Sequence, residues 1–296
     1  MNVLITGAWT QAQDYINELE SKGHTVKFMQ FEKDEIVCPY EWVEGVVCNG
    51  LFLHHPIERF ANLTYIQLTS AGFDRVPMDY VKEHGIQIRN ARGVYSIPMA
   101  EFAITGVLQL YKQMDYFREK QKEHQWNKHR GLIELYEKTV CVIGCGSVGT
   151  ECAKRFHAFG CKVIGVDLYP SEDKNYTEMF QIDELNNVIP QADVLVLTLP
   201  LTDETTHLMN RERFALLKQG AMLVNIARGA VVDTEALIEN LDRLGGAVLD
   251  VFEKEPLEQD SLLWGHEKVI VTPHNSFVGD GNGKRLSKVI LNNLEA

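Results

Sequence analysis

Positive charge is scarce in this sequence, and long apolar runs are absent. Against 41 aspartates and glutamates stand 29 lysines and arginines, so the formal net charge is −12. That balance argues against a general nucleic-acid-binding surface. It leaves room for a small anionic ligand, because a pocket can be locally positive inside an acidic protein. No stretch of about eighteen apolar residues occurs, so no membrane span is expected. The opening MNVLITGAW lacks the basic start and long apolar core of a signal peptide, and the expected location is the cytoplasm. Cysteine never occurs as a CxxC pair. Cys38, Cys48, Cys141, Cys145, Cys152 and Cys161 are expected to be reduced core thiols, with a redox or zinc role as the less favoured alternative. His124 and His129 are badly spaced for one helical face, and no metal site is expected.

The chain does have 296 residues with 45% apolar content, enough for two domains each with its own core. NVLIT, TVKFM, GVVCN, LTYIQLTS and IQIRN read as short strands, and TQAQDYINELESKGH as a helix ending at Gly23. This βα alternation runs to about residue 93 and predicts a parallel sheet. IPMAEFAITGVLQLYKQMDYFREKQKEHQW predicts one long helix, buried at its start and wetter at its end. A second series follows: KTVCVIG, KVIGVD, DVLVLTLP, AMLVNIA, GAVLDVF and KVIVTPH. Runs so rich in Val, Ile and Leu fit central parallel strands covered on both faces. The tail GDGNGKRLSKVILNNLEA predicts a turn and one amphipathic helix.

The strongest local signal is VCVIGCGSVG, in which Gly144, Gly146 and Gly149 form GxGxxG. A strand precedes it, a helical pattern follows, and a second strand ends in Asp167. That context identifies a dinucleotide-binding turn, with Cys145, Ser147 and Val148 filling its other positions. Gly144 permits the tight turn, Gly146 lets backbone approach a pyrophosphate, and Gly149 lets helix and strand pack closely. Asp167 can accept from the adenosine ribose hydroxyls and would repel a 2′-phosphate, so NAD is expected over NADP. The segment LTLPLTDET, with Leu199, Pro200 and Thr205, ends a later strand. It fits either the adenosine side of the crevice or a plain strand-to-loop transition.

Further strands end in chemistry. Arg228 follows Ile226 and Ala227 in VNIARGAVVD, at the carboxyl end of a strand where ligands of such sheets sit. Its planar fork matches a carboxylate, although a surface ion pair is the alternative. GAVLDVFEKEPL puts Asp250 at the next strand end and Glu255 shortly after it, where EKE could equally be a solvated loop. His274 ends the strand after that, in VTPH. A cation, a carboxylate and an imidazole after successive strands suit hydride transfer between a carbonyl and an alcohol. His274 would donate or remove the proton, Glu255 would orient it and raise its pKa, and Arg228 would hold the substrate carboxylate and polarise the carbonyl.

With these motifs in order, joined by LVNIARGAVVDTEALIENL and GAVLDVFEKEPLEQDSLLW, the chain resembles the NAD-dependent D-isomer-specific 2-hydroxyacid dehydrogenase family. The resemblance implies an α/β protein of two domains, a flavodoxin-like substrate domain and a Rossmann-like NAD-binding domain. The first would span 1–93, completed by the helix over 280–296, and the second 94–279. It implies Arg228, Glu255 and His274 as the catalytic set and Asp250 at the nicotinamide side. It makes TSAGFD the substrate loop, with backbone groups of Ala71 and Gly72 near the substrate carboxylate. A 2-keto or 2-hydroxy acid substrate and a homodimer formed through the NAD-binding domain are implied as well. Cys145 in the glycine turn, Phe73 in the substrate loop and Asn275 after the histidine depart from the usual pattern and leave the particular substrate open. The alternative reading is a non-catalytic NAD-sensing or corepressor-like protein on the same scaffold. Retention of arginine, glutamate and histidine speaks against it.

Overall fold

Two parallel sheets organise the protein, in a computed structural model that describes residues 1–295. The chain divides into two compact units. One comprises Met1–Tyr95 with the C-terminal segment from Gly279, the other Ser96–Val278.

The first unit holds β1 (Asn2–Thr6), β2 (Thr25–Met29), β3 (Gly45–Cys48), β4 (Tyr65–Leu68) and β5 (Gln87–Arg89) in the order β2-β1-β3-β4-β5. This is the flavodoxin-like order. Central β3 and β4 are buried throughout, whereas edge β2 alternates between partly covered and exposed residues. Covering both faces of a central strand demands apolar residues at every position, and an edge strand relaxes that demand. Helices α1 (Ala12–Ser21) and α2 (Met78–Glu83) connect strands of this sheet. The C-terminal helix, numbered α9 below, belongs to the same unit. Its Ser287 accepts from the Trp9 indole at 2.9 Å, and Asn293 donates to Gln67 at 2.9 Å.

The second unit holds α3 (Ser96–Tyr111), α4 (Met114–Lys122), β6 (Thr139–Ile143), α5 (Ser147–Ala158), β7 (Lys162–Asp167) and β8 (Glu178–Gln181). After these come α6 (Leu185–Val188), β9 (Val194–Leu197), α7 (Arg211–Leu216), β10 (Met222–Asn225), α8 (Thr234–Asn240), β11 (Gly246–Leu249) and β12 (Val269–Val271). The last element of the chain is α9 (Asn282–Glu295). The sheet order β12-β11-β10-β9-β6-β7-β8 is Rossmann-like with an added strand. Along β9 the side chains divide between two cores. Leu195 and Leu197 enter the cluster on one face, Val194 and Val196 that on the other.

Two expectations need correction. The long helix is broken: α3 stops at Tyr111, Gln113 adopts φ 49°, and α4 then runs only to Lys122. The Gln113 side-chain amide and backbone N–H both donate to Leu110 O, which ends α3 where its buried face ends. Strand β8 (EMFQ) was not expected. It is an edge strand with exposed ends, so it lacks the apolar run that marks the central strands. No helix among the described residues is long and apolar enough to cross a membrane.

Candidate active site

The glycine turn joins β6 to α5 at the place where the sheet order reverses, between β6 and β9. Gly144 has φ +91°, and a Cβ there would lie 2.6 Å from the Leu199 nitrogen. A Cβ on Gly149 would lie 2.1 Å from Gly144 O. Neither position tolerates a side chain, so the turn and the loop after β9 are locked together. Thr198 reinforces this by donating its hydroxyl to Gly144 O at 2.6 Å. A Cβ on Gly146, by contrast, would meet nothing within 4 Å, so the space above the turn is open. Helix α5 begins there without a side-chain cap, and its dipole favours an anion at that end.

Asp167 closes one side of this cradle. Its carboxylate accepts from Cys145 N at 2.6 Å and Tyr169 N at 2.9 Å, which fixes it beside the turn. The open space at Gly146, the uncapped helix start and the fixed carboxylate together fit a dinucleotide. Cys145 points its sulfur down toward Val142 O and Val166 O, away from that space. Burial, with Asp167 nearby, pushes its thiol up to about 11, so it is a weak nucleophile at neutral pH. Thr205 shapes the loop after β9 by accepting from Thr202 N and donating to Pro200 O at 2.8 Å. Leu199, Ile226 and Ala227 are buried, so their backbone is what they can offer a ligand.

The arginine, glutamate and histidine of the sequence lie after the ends of β10, β11 and β12, which are neighbours in the sheet. His274 Nδ1 lies 2.9 Å from Glu255 Oε2, while Glu255 Oε1 accepts from Phe252 N at 3.1 Å. Both side chains remain partly exposed. An N–H on Nδ1 facing the carboxylate leaves Nε2 as the outward nitrogen, a tautomer assigned from this contact. The acidic run EKE proves to be divided in its contacts. Glu253 takes His207 Nε2 at 2.5 Å and Thr234 N at 3.1 Å, and Glu255 takes His274.

Asp250 organises the histidine loop. It is fully buried and accepts from Thr272 Oγ1 at 2.7 Å, Asn275 N at 2.7 Å and Ser276 N at 2.9 Å. Its own carbonyl accepts from His274 N at 2.8 Å. These bonds hold His274 at φ 50°, an uncommon conformation for a residue with a side chain. Arg228 is set by Asn225, whose side chain accepts from Ala227 N and donates to Arg228 O, both at 3.1 Å. Asn225 and Thr272 were missed as site residues in the sequence. A single amide at the end of the apolar strand MLVN was the available signal for the first. In the other unit, TSAGFD follows β4, where Ser70 donates to Gly72 O at 3.0 Å and Asn90 to Ala71 O at 2.5 Å.

Fold and turn thus define a dinucleotide-binding α/β protein. Residues 104–276 match the family model described as "D-isomer specific 2-hydroxyacid dehydrogenase, NAD binding domain". The chain is 37% identical over 268 residues to a D-3-phosphoglycerate dehydrogenase of Methanocaldococcus jannaschii. That match covers 88% of this chain but 51% of the relative, so the chain spans about half the relative's length. A family protein from Aeromonas salmonicida superposes with TM-score 0.81 at 30% identity, covering 99% of this chain and 94% of that one. A D-lactate dehydrogenase from Aquifex aeolicus, complexed with NAD and lactic acid, gives TM-score 0.79 at 28% identity, covering 100% and 95%. The chain belongs to the D-isomer specific 2-hydroxyacid dehydrogenase family.

Proposed function

We propose that the protein interconverts a 2-keto acid and its D-2-hydroxy acid with NAD(H). The observation that carries this reading is the 2.9 Å His274–Glu255 pair at a strand end of a dinucleotide-binding sheet, two strands from the one that bears Arg228. NADH, when bound, supplies the hydride, and NAD accepts it in the reverse direction. In reduction, His274 gives the proton on Nε2 to the developing alcohol oxygen. It keeps its Nδ1 proton on Glu255, which holds the ring's orientation through the transfer. In oxidation the neutral imidazole takes that proton back. Arg228 holds the substrate carboxylate through its fork and stabilises charge on the carbonyl oxygen. In the first unit, backbone groups of Ala71 and Gly72 are assigned to a substrate carboxylate by the family resemblance alone. Asp250 serves the nicotinamide side and holds the histidine loop, and residues 144–149, Leu199, Pro200, Thr205, Ile226 and Ala227 hold the rest of the cofactor. The unpaired thiols suit a cytoplasmic setting.

The direct test is loss of absorbance at 340 nm when NADH meets a panel of 2-keto acids. Absence of turnover with every member would favour a non-catalytic NAD-binding role. Cofactor choice follows from Asp167, which would face the extra charge of a 2′-phosphate. Asp167→Ser is expected to shrink the NADH-over-NADPH ratio in kcat/KM by roughly tenfold or more. An unchanged ratio would remove Asp167 from that role.

A homodimer through the NAD-binding unit is part of the same reading. Trp126 is 96% exposed, and Leu132, Ile133 and Tyr136 close by in sequence are exposed too. So much apolar surface on one segment suits coverage by a second copy of the same unit. Sedimentation should show a dimer that Trp126→Asp shifts toward monomer. A monomer before substitution would refute the assignment.

A further inference from the structure

Resting on the proposed reaction, the geometry points to Glu253 as a positioning residue: through His207 and Thr234 it sets the loop from which Glu255 reaches His274. Three loops meet at this carboxylate. One follows β9 and brings His207, one follows β10 and brings Thr234, and one follows β11 and carries Glu253 itself. Glu253 Oε1 takes His207 Nε2 at 2.5 Å, and Oε2 accepts from Thr234 N at 3.1 Å. Glu255 lies two residues further along, with its Oε2 2.9 Å from His274 Nδ1.

The surrounding bonds separate the frame from the part it holds. His207 N donates to Ala230 O at 2.7 Å, Met209 N to Val231 O at 3.0 Å and Asp233 N to Met209 O at 3.0 Å. The loops after β9 and β10 are thereby laced together through backbone, without help from Glu253. His207 sits in that frame at φ 50°. Thr234 opens α8, whose cap Asp233 gives its carboxylate to Ala236 N. Thr234 N is thus a first-turn donor without a helical partner, and Glu253 supplies the acceptor. On the loop after β11, Glu255 Oε1 accepts from Phe252 N at 3.1 Å, a bond inside the loop that moves with it. Glu253 joins this loop to the fixed frame. Partial burial raises the Glu253 carboxyl, yet the Thr234 and His207 contacts outweigh it and hold the group below the usual carboxylate range. Both bonds therefore have an ionised acceptor at neutral pH. Glu253 and His207 are partly exposed, so the pair adds little to overall stability, and its effect is on where the loop rests. A shift of about 1 Å at Glu255 would turn the imidazole and misdirect Nε2, and errors of that size cost up to about 10²-fold in rate.

The test is a double-mutant cycle in the full chain. It reads kcat with NADH and pyruvate, hydroxypyruvate or 2-ketobutyrate, whichever the parent reduces fastest. Glu253→Ala is expected to lower kcat by roughly 10- to 100-fold. NADH affinity should stay within about threefold, because the loop after β9 keeps its backbone bonds. In a Glu255→Ala background the same substitution should cost less than about threefold, since the group it positions is gone. Glu253→Gln keeps an acceptor for one of the two bonds and should recover part of the loss. Nitrogen-15 spectra of the imidazoles at about pH 9 give a readout that needs no turnover. The His274 signal, assigned by its absence in His274→Ala, should report an Nδ1 proton in the parent and move toward the Nε2 form in Glu253→Ala. A purely structural Glu253 would lower the thermal midpoint yet leave kcat at 20 °C and the His274 tautomer unchanged, and that result would overturn the role. Equal losses of kcat in both backgrounds would overturn it too. Absence of turnover in the parent would overturn the proposed reaction, while the imidazole spectra would still decide whether Glu253 positions His274.

Discussion

His274→Ala should lower kcat for keto-acid reduction by roughly 10³-fold while NADH affinity stays within about threefold. The separation arises because the imidazole is built into a proton path, whereas the dinucleotide cradle is built elsewhere in the sheet. Glu255 takes Nδ1 and so commits Nε2 to the substrate. The turn at Gly144–Gly149 owes nothing to that pair, since its geometry is set by Leu199, Thr198 and Gly144. Rapid-mixing kinetics with fluorescence titration of NADH reads both quantities. Equal losses in each would mean that His274 supports the cofactor site and carries no proton.

The second large effect is expected from Gly229→Ala. A Cβ at this position would lie 1.8 Å from the Phe252 carbonyl carbon and 2.3 Å from Glu253 N. The obstructing atoms are backbone, so no side-chain rotation relieves the clash. Two loops must separate, the one bearing Arg228 and the one bearing Glu255. The expected cost is about 3 kcal/mol, at the upper end of overpacking changes. For a unit of this size that corresponds to roughly 6–12 °C in thermal midpoint. Activity should fall even at temperatures where the variant is folded, because Arg228 and Glu255 move apart. Calorimetry with kinetics at 20 °C would check this, and a midpoint unchanged from the parent would show that the loops have room.

Most of the sheet architecture was legible in order along the chain. Central strands of the second unit are buried on both faces, so they stand out as runs rich in Val, Ile and Leu. GxGxxG was recognisable because close backbone approach at Gly144 and Gly149 leaves no alternative residue. Edges were harder. EMFQ carries half-exposed side chains and forms β8 only because β7 offers it a free edge. The break at Gln113 was equally hidden, since the local sequence favours helix on both sides and the stop comes from where burial ends.

Positions just after apolar strands were enough to nominate Arg228 and His274, whereas Glu255 sits in the polar run EKE and stood out only through the family resemblance. Their alliances were another matter. Whether Glu253 or Glu255 would meet the imidazole depends on how one loop turns. That Asp250 would spend its carboxylate on Thr272, Asn275 and Ser276 depends on two strands lying side by side. Periodicity and local propensity act over neighbours in the chain and can be read there. Hydrogen bonds between loops that are distant in sequence exist only once the sheet has brought their strand ends together.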